Sequence, residues 1–452
     1  MKRADVVVIG GSAAGLTAAI TCHRHFPEKS ILLVRKEPRV MIPCGIPYTI
    51  ATVGGPENDL IPDAVLKKNN VELLVDEVTD IDCEQCTIMT AGGETIGYQR
   101  LILGTGSSPL VPPIPGVDKE NIFAINKDVA YIQKVCDALD EASDVVIVGC
   151  GFIGVEIAEE CKKRRDDLNV SIVEMLRHCL QLVYDEEFSI KAEQVLKDQG
   201  VGLLLDEKVE AFLGNEKVAG VRLASGKEIK ADVVIMGIGA TASAELAKKA
   251  GLEIGPTRAV GVNRHMRTSD RNIFACGDCA EKVSFFDGKP SLLKLASIAT
   301  MEARIAAANL FSPRRVNLGV IGVYSTILGS TAFAAAGLTE SQAREKGYAV
   351  VVGEAEAVNR HPGSMPEAEK LKVKLIFEAG SHVLLGGQIS GAKSGGELIN
   401  AISACIHQGM TADDIATFQT GTHPALTASP ISYQLVNAAE IAIANSWKLS
   451  TR

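Results

Sequence analysis

A short run of β-branched residues that breaks on a glycine-rich turn and continues as a helix occurs twice in this 452-residue chain, and no other feature restricts the fold as tightly. Val6-Val7-Val8-Ile9 leads into Gly10-Gly11-Ser12-Ala13-Ala14-Gly15, a helix to about His25 and a strand from Ile31 to Val34. Val145-Val146-Ile147-Val148 leads into Gly149-Cys150-Gly151-Phe152-Ile153-Gly154, a helix through Cys161 and a strand from Val170 to Val173. Strands that are apolar at every position suit parallel sheets covered on both faces. Two such units predict an α/β chain with two doubly wound, Rossmann-like nucleotide-binding domains.

The glycines point to the ligand. A strand–turn–helix unit that holds a pyrophosphate needs one glycine for the turn, one for close approach of the phosphates and one for packing helix on strand. Gly149, Gly151 and Gly154 meet all three needs. Glu174 closes the following strand, where ribose hydroxyls bind, with Phe152 and Ile153 opening the helix. No basic residue follows Glu174 immediately, which favours NADH; Arg177 keeps NADPH possible. The first unit is less regular. Ser12 replaces the middle glycine between Gly10 and Gly15, and Arg35, Lys36 and Glu37 stand where an acid is expected. Either Glu37 reaches the ribose or Arg35 contacts it differently.

Further strand ends occur at Leu103-Gly104-Thr105-Gly106 and at Val233 to Gly239, and Pro109, Pro112, Pro113 and Pro115 mark a crossing between units. A helix is expected from about Leu293 to Leu310. Beyond about Asn317, strand-like runs at 349–352, 371–377 and 383–385 precede helices near 397–408 and 431–445, which reads as a separate α+β domain. The net charge of -9 argues against a general nucleic-acid binder. No apolar stretch reaches about 18 residues, so no membrane span is expected. Met1-Lys2-Arg3 and Val6 to Ile9 imitate an export signal, but the run is too short. With 11 cysteines and no such signal, the chain is expected to be cytoplasmic, its cysteines mostly reduced. Cys83-x-x-Cys86 has no second pair at zinc spacing, so no metal is expected. Cys276 and Cys279 read as packing. Cys44, in Pro43-Cys44-Gly45-Ile46-Pro47-Tyr48, precedes a helix start near Pro47, where a positive field would favour a thiolate.

Taken together, the paired nucleotide units, the Leu103-Gly104-Thr105-Gly106 strand end and the segment Thr268 to Asp278 resemble the FAD- and NAD(P)-dependent pyridine nucleotide-disulfide oxidoreductases. The resemblance implies an FAD-binding domain over 1–115 and 254–318, an NAD(P)-binding domain over 116–253 and a C-terminal dimerisation domain over 319–452. It places FAD on Gly10, Ser12, Ala13, Ala14, Gly15, the Arg35–Glu37 segment, Thr105, Gly106 and Asp278. NADH falls on Gly149, Gly151, Phe152, Ile153, Gly154, Glu174 and Gly239. Phe152 matches an aromatic gate over the nicotinamide pocket, and Glu156 the glutamate that follows the second glycine loop.

Cys-Gly-x-Pro-Tyr resembles the single-cysteine branch: coenzyme A disulfide, persulfide and polysulfide reductases, and NADH oxidases and peroxidases. Thr49 stands where the two-cysteine branch has its second thiol. Ala13 replaces the histidine of the oxidases, which tilts the reading toward disulfide or persulfide reduction. Gly421-Thr422-His423-Pro424 resembles the His-Pro of the two-cysteine branch, with His423 as acid–base from a partner subunit, although Ala428 stands in place of its orienting glutamate. Arg360-His361-Pro362-Gly363 replaces a tyrosine motif and is a candidate substrate site, as is Arg24. The expected activity passes electrons from NADH through FAD to Cys44 and on to a small disulfide or persulfide, in a homodimer. The alternatives are an NADH oxidase that reduces oxygen or peroxide, and a flavin-bearing redox sensor with little turnover.

Overall fold

The apolar strand Lys2–Ile9 lies inside a parallel sheet in the computed structural model, which describes residues 2–450. The chain divides into two compact units. The first contains the chain up to Pro113, Asn121–Glu141 and Ile238–Val320; the second contains Ile114–Glu120, Ala142–Gly237 and the chain from Ile321 onward. In the first, strands Val71–Val75, Ile31–Arg35, Lys2–Ile9 and Thr95–Leu103 run parallel in that order, and Ile273–Ala275 pairs parallel with Thr95–Leu103. The hairpin Val78–Asp82 and Thr87–Thr90 extends the sheet antiparallel and carries Cys83 and Cys86 at its turn. Helices Ala13–His25 and Ala296–Asn309 pack on each other. Their buried faces are small, with Ala14, Ala18 and Ala19 on one and Ala299, Ala303, Ala306 and Ala307 on the other, so the backbones approach closely.

In the second unit, Val233–Met236, Asp144–Val148, Asn169–Val173 and Gly202–Leu204 run parallel in that order. Its C-terminal part is a five-stranded antiparallel sheet in the order Val323–Leu328, Thr331–Gly337, Leu384–Gly391, Lys370–Glu378, Val350–Val358. The helix Gln434–Ser450 packs on Val350–Val358, and Gly353 permits it, because a methyl there would overlap the Ala438 carbonyl oxygen. The first two strands of this sheet are absent from the sequence reading. Thr331–Gly337 is alanine-rich and scores as helix former. It becomes a central strand because the left-handed turn at Gly329 folds it onto Val323–Leu328. Among the described residues, no helix is long and apolar enough to cross a membrane.

Candidate functional site

Three loops leave the first sheet at one edge, because Ile9 is in register with Leu103 and Leu103 with Ala275. Ligands of open α/β sheets bind at such strand ends. Gly10 adopts φ +107°, and methyls on Gly10 and Gly15 would overlap the carbonyl oxygens of Gly104 and Gly10. These two glycines therefore serve the turn and the helix–strand packing. Ser12 stands before the helix Ala13–His25 but makes no side-chain capping hydrogen bond, and the first turn holds no acid. Its backbone donors and partial positive charge suit a pyrophosphate. Ala13 is half-buried and Ala14 buried. Gly106 adopts φ +73° with nothing within 4 Å of where its Cβ would stand, so that loop surface is open. Thr105 Oγ1 donates to the Ser243 carbonyl at 2.7 Å.

Asp278 lies half-buried in the turn Gly277–Cys279 and accepts from Ser107 Oγ at 2.7 Å. Below it, Lys282 Nζ donates to the Gly277 and Ala280 carbonyls at 2.6 and 2.9 Å, and Glu302 accepts the Gly277 N–H at 2.9 Å. Lys282 and Glu302 are 3.4 Å apart and fully buried, and burial raises Glu302 to about 7. Ser107, Lys282 and Glu302 have no motif of their own; only the fold shows that they fix the Asp278 turn. Cys276 and Cys279 are buried beside it, as packing. The ensemble fits FAD: an uncapped helix N-terminus and an open glycine for phosphates, and an oriented carboxylate for hydroxyls.

Arg35 is the exception. Its guanidinium forks onto Asp63 at 2.7 and 2.9 Å and donates to the carbonyls of Glu37 and Pro38, while its stem covers Gly11. The arginine is thus committed to the loop itself. Lys36 is exposed and Glu37 half-buried at the same strand end.

The second loop repeats the construction. Gly149 adopts φ +101°, nothing stands within 4 Å of a Cβ on Gly151, and a methyl on Gly154 would overlap the Gly149 carbonyl oxygen. The helix Phe152–Arg164 is uncapped with no acid in its first turn. Val148 is in register with Val173, so Glu174 follows at the same edge. Its carboxylate accepts the N–H groups of Cys150 and Leu176 at 2.6 and 2.9 Å, which holds it against the loop. Ile153 is exposed, as is Arg177. These residues fit a pyridine dinucleotide. The Phe152 ring stacks on Tyr324 at 5.3 Å and meets Tyr184 edge-on at 6.2 Å. Glu156, one turn on, accepts from Thr326 Oγ1 at 2.8 Å, and burial raises it to about 7. Gly239 belongs to the first unit, where its carbonyl accepts the Leu110 N–H at 2.9 Å.

One cysteine pair departs from the reduced state expected for the chain: Cys150, in the glycine loop, is bridged to Cys179. Leu180, in a left-handed conformation, donates its N–H to the Cys150 carbonyl and turns Cys179 inward.

Cys44 is exposed at the corner of a turn closed by the Gly45 N–H and the Ile42 carbonyl at 2.8 Å, with Pro43 at the position that favours proline. The expected helix near Pro47 is a single 3₁₀ turn of four residues, Ile46–Thr49. The field of a full helix is therefore missing, and the turn rather than a helix dipole presents the thiol. Thr49 is fully buried and donates to the Ile46 carbonyl at 2.6 Å.

In the second unit, His423 is exposed in a turn in which it accepts the Ala425 N–H on Nδ1 at 3.2 Å, which places the proton of the neutral ring on Nε2. Ala428 is buried. The fold brings His361 to this turn: its N–H donates to the Pro424 carbonyl at 3.1 Å, and its Nδ1 lies 3.1 Å from the Thr427 carbonyl. Arg360 pairs with Glu367 at 3.3 Å. Arg24 is exposed in the last turn of its helix, about 17 Å along the axis from the glycine loop. It complements the helix C-terminus and is not joined to the loop edge.

The chain resembles known proteins over most of its length. Residues 4–303 match the family described as pyridine nucleotide-disulphide oxidoreductase, and residues 323–431 match the dimerisation domain of that family. An NADH oxidase of Methanocaldococcus jannaschii is 31% identical over 91% of this chain and 93% of that protein. A CoA-dependent NAD(P)H sulfur oxidoreductase of Pyrococcus furiosus is 31% identical over 92% of this chain and 94% of that protein. The solved structure of an NAD-dependent persulfide reductase from A. fulgidus superposes with a TM-score of 0.90 at 31% identity, covering 98% of this chain and 84% of that one.

Proposed function

The chain belongs to the pyridine nucleotide-disulphide oxidoreductase family, and from that premise we propose that it carries electrons from NADH through FAD to Cys44 and on to a small disulfide, persulfide or polysulfide of the coenzyme A disulfide kind. It is an oxidoreductase that uses FAD and NAD(P)H. Residues 1–115 with 254–318 bind FAD, 116–253 bind the pyridine nucleotide, and 319–452 form the dimerisation domain.

Gly10, Ser12, Ala13, Ala14, Gly15, Thr105, Gly106 and Asp278 hold the flavin nucleotide, with Lys36 and Glu37 at its ribose. Gly149, Gly151, Ile153, Gly154, Glu174 and Gly239 hold NADH, with Phe152 as the aromatic that yields to it. Bound FAD supplies the path by which the two electrons of NADH reach sulfur. The balance is NADH + H⁺ + RSSR → NAD⁺ + 2 RSH. The Cys44 thiolate attacks one substrate sulfur, forms a mixed disulfide and releases the first thiolate, which His423 protonates. Reduction of the mixed disulfide returns the Cys44 thiolate and the second thiol. Arg360, His361 and Arg24 are the cationic candidates for an anionic substrate.

The observation that carries this reading is an exposed thiol whose loop offers buried Thr49 in place of a second cysteine. Such a thiol exchanges with an external sulfur. Intact-mass spectra before and after reductant should show an adduct on Cys44 equal to coenzyme A or one sulfur, and Cys44→Ser should lower disulfide turnover at least a thousandfold. Unchanged turnover in that variant sinks the proposal. NADH oxidation is the second reading, favoured by the M. jannaschii relative. Oxygen uptake that matches NADH loss, without response to added disulfide, would establish it.

The enzyme works as a cytoplasmic homodimer in this reading. Phe418, Leu426, Ile431, Ile441 and Trp447 are large apolar side chains left exposed toward the C-terminus, as a subunit interface requires.

A further inference from the structure

Asp59 ends the turn Pro56–Asn58 beside the Cys44 loop. Its carbonyl accepts the Ile42 N–H at 3.0 Å, and the neighbouring residues Met41 and Leu60 pair as strands. The side chain packs on Gly45, where a methyl would overlap Oδ1. Gly45 has φ -85°, a conformation open to any residue, so it is the carboxyl and not the backbone that requires glycine after Cys44. Asp59 is 5% exposed, and its Oδ2 has no hydrogen-bond partner among the described residues. Nearby Asp63, by contrast, is satisfied by Arg35. A buried carboxyl with an unpartnered oxygen is costly and calls for a reason.

We propose that Asp59 is a positioning residue for Cys44: its carboxyl seats Gly45, and its negative charge restrains thiolate formation at the adjoining cysteine. The proposal rests on Cys44 being the redox thiol. The titratable groups on the elements packed around Asp59 are Cys44 and Tyr48 of the loop, Arg39 and Glu57, which pair with each other, and, on the helix Val129–Glu141, Tyr131 and Cys136 in the cluster with Met41 and Ile46, with Lys134, Asp137, Asp140 and Glu141 outside that cluster. Burial raises Asp59 to about 6, so it changes charge just below neutral pH. Its anion makes the neighbouring thiol a weaker acid, and the thiolate, once formed, a stronger nucleophile.

The test is the alkylation rate of Cys44 by iodoacetamide from pH 5 to 10, read by peptide mass on the purified, reduced flavoprotein. In the wild type, the logarithm of the rate should bend near pH 6 in addition to the thiol's own inflection. Asp59→Asn should remove that bend and move the thiol inflection down by about one pH unit, which makes alkylation about threefold faster between pH 6 and that inflection, the gain in thiolate being partly offset by its lower nucleophilicity. A wild-type curve without the bend overturns the proposal, even if Asp59→Asn does not fold. So does a destabilised variant with the wild-type curve, which marks a merely structural residue. Failure of the proposed function would show instead as undiminished disulfide reduction in Cys44→Ser, whatever the alkylation curve.

Discussion

Glu156 shows how one side chain can carry a consequence that its motif does not announce. Thr326 bonds it, and Glu159 and Glu160 lie nearby, paired with Lys163 at 2.8 and 3.0 Å. Burial comes first among the causes that raise its pKa from 4.5 to about 7. Between those values the folded protein keeps a proton that the unfolded chain has lost. The contribution is therefore full below pH 4.5 and is lost as pH rises through 7. Glu156→Gln should match the wild type in urea stability at pH 4 and exceed it by up to ~3 kcal/mol at pH 8. Parallel pH profiles would contradict this. The position of Glu156 is legible from the glycine loop before it. Its environment is not, because Thr326 and the Tyr324 that stacks on Phe152 arrive from another part of the chain. Ser107 and Asp59 escape sequence reading for the same reason: what they do depends on a partner that pattern alone does not specify.

Among the elements, the parallel strands and their glycine turns are the most legible. A fully apolar strand and a glycine at positive φ leave few alternatives, and both loops are built as their sequences imply. The hairpin Val323–Leu328 and Thr331–Gly337 is the counterexample, since burial between neighbouring strands selects small alanines that locally favour a helix. The segment after Glu174 is a second one. No spacing rule pairs Cys150 with Cys179, and the link depends on the left-handed turn at Leu180. The bridge closes a loop of 29 residues, so chain entropy assigns it roughly 3–4 kcal/mol. Urea unfolding of the oxidised protein should therefore shift to lower midpoint on adding dithiothreitol. The Cys150→Ser, Cys179→Ser double variant should already unfold at the lower midpoint and ignore the reductant. A wild-type protein that is equally indifferent would show that the bridge does not constrain the chain.

At the scale of the molecule, the function proposed above joins a cysteine loop that resembles one branch of the family to a C-terminal histidine that resembles another. The match of residues 323–431 to a dimerisation domain bears on how the two can meet. His423 sits in an exposed turn and accepts the Ala425 N–H on Nδ1, and Ala428, where the acid–base role proposed above would call for an orienting carboxylate, is buried. In the homodimer proposed here, each catalytic centre takes Cys44 from one subunit and His423 from its partner. Subunit mixing separates this arrangement from one confined to a single chain. Cys44→Ser and His423→Ala homodimers should each lose most disulfide turnover, the second by about a hundredfold, as expected when a general acid is removed. A heterodimer of the two variants has one centre with both groups intact and one with neither. It should recover about half of the wild-type rate per dimer. If Cys44 and His423 of the same chain act together, neither centre is intact, and mixing recovers nothing. The recovery thus reports which subunit supplies the acid, since the heterodimer contains the same substitutions in either case and differs only in how the two groups are shared.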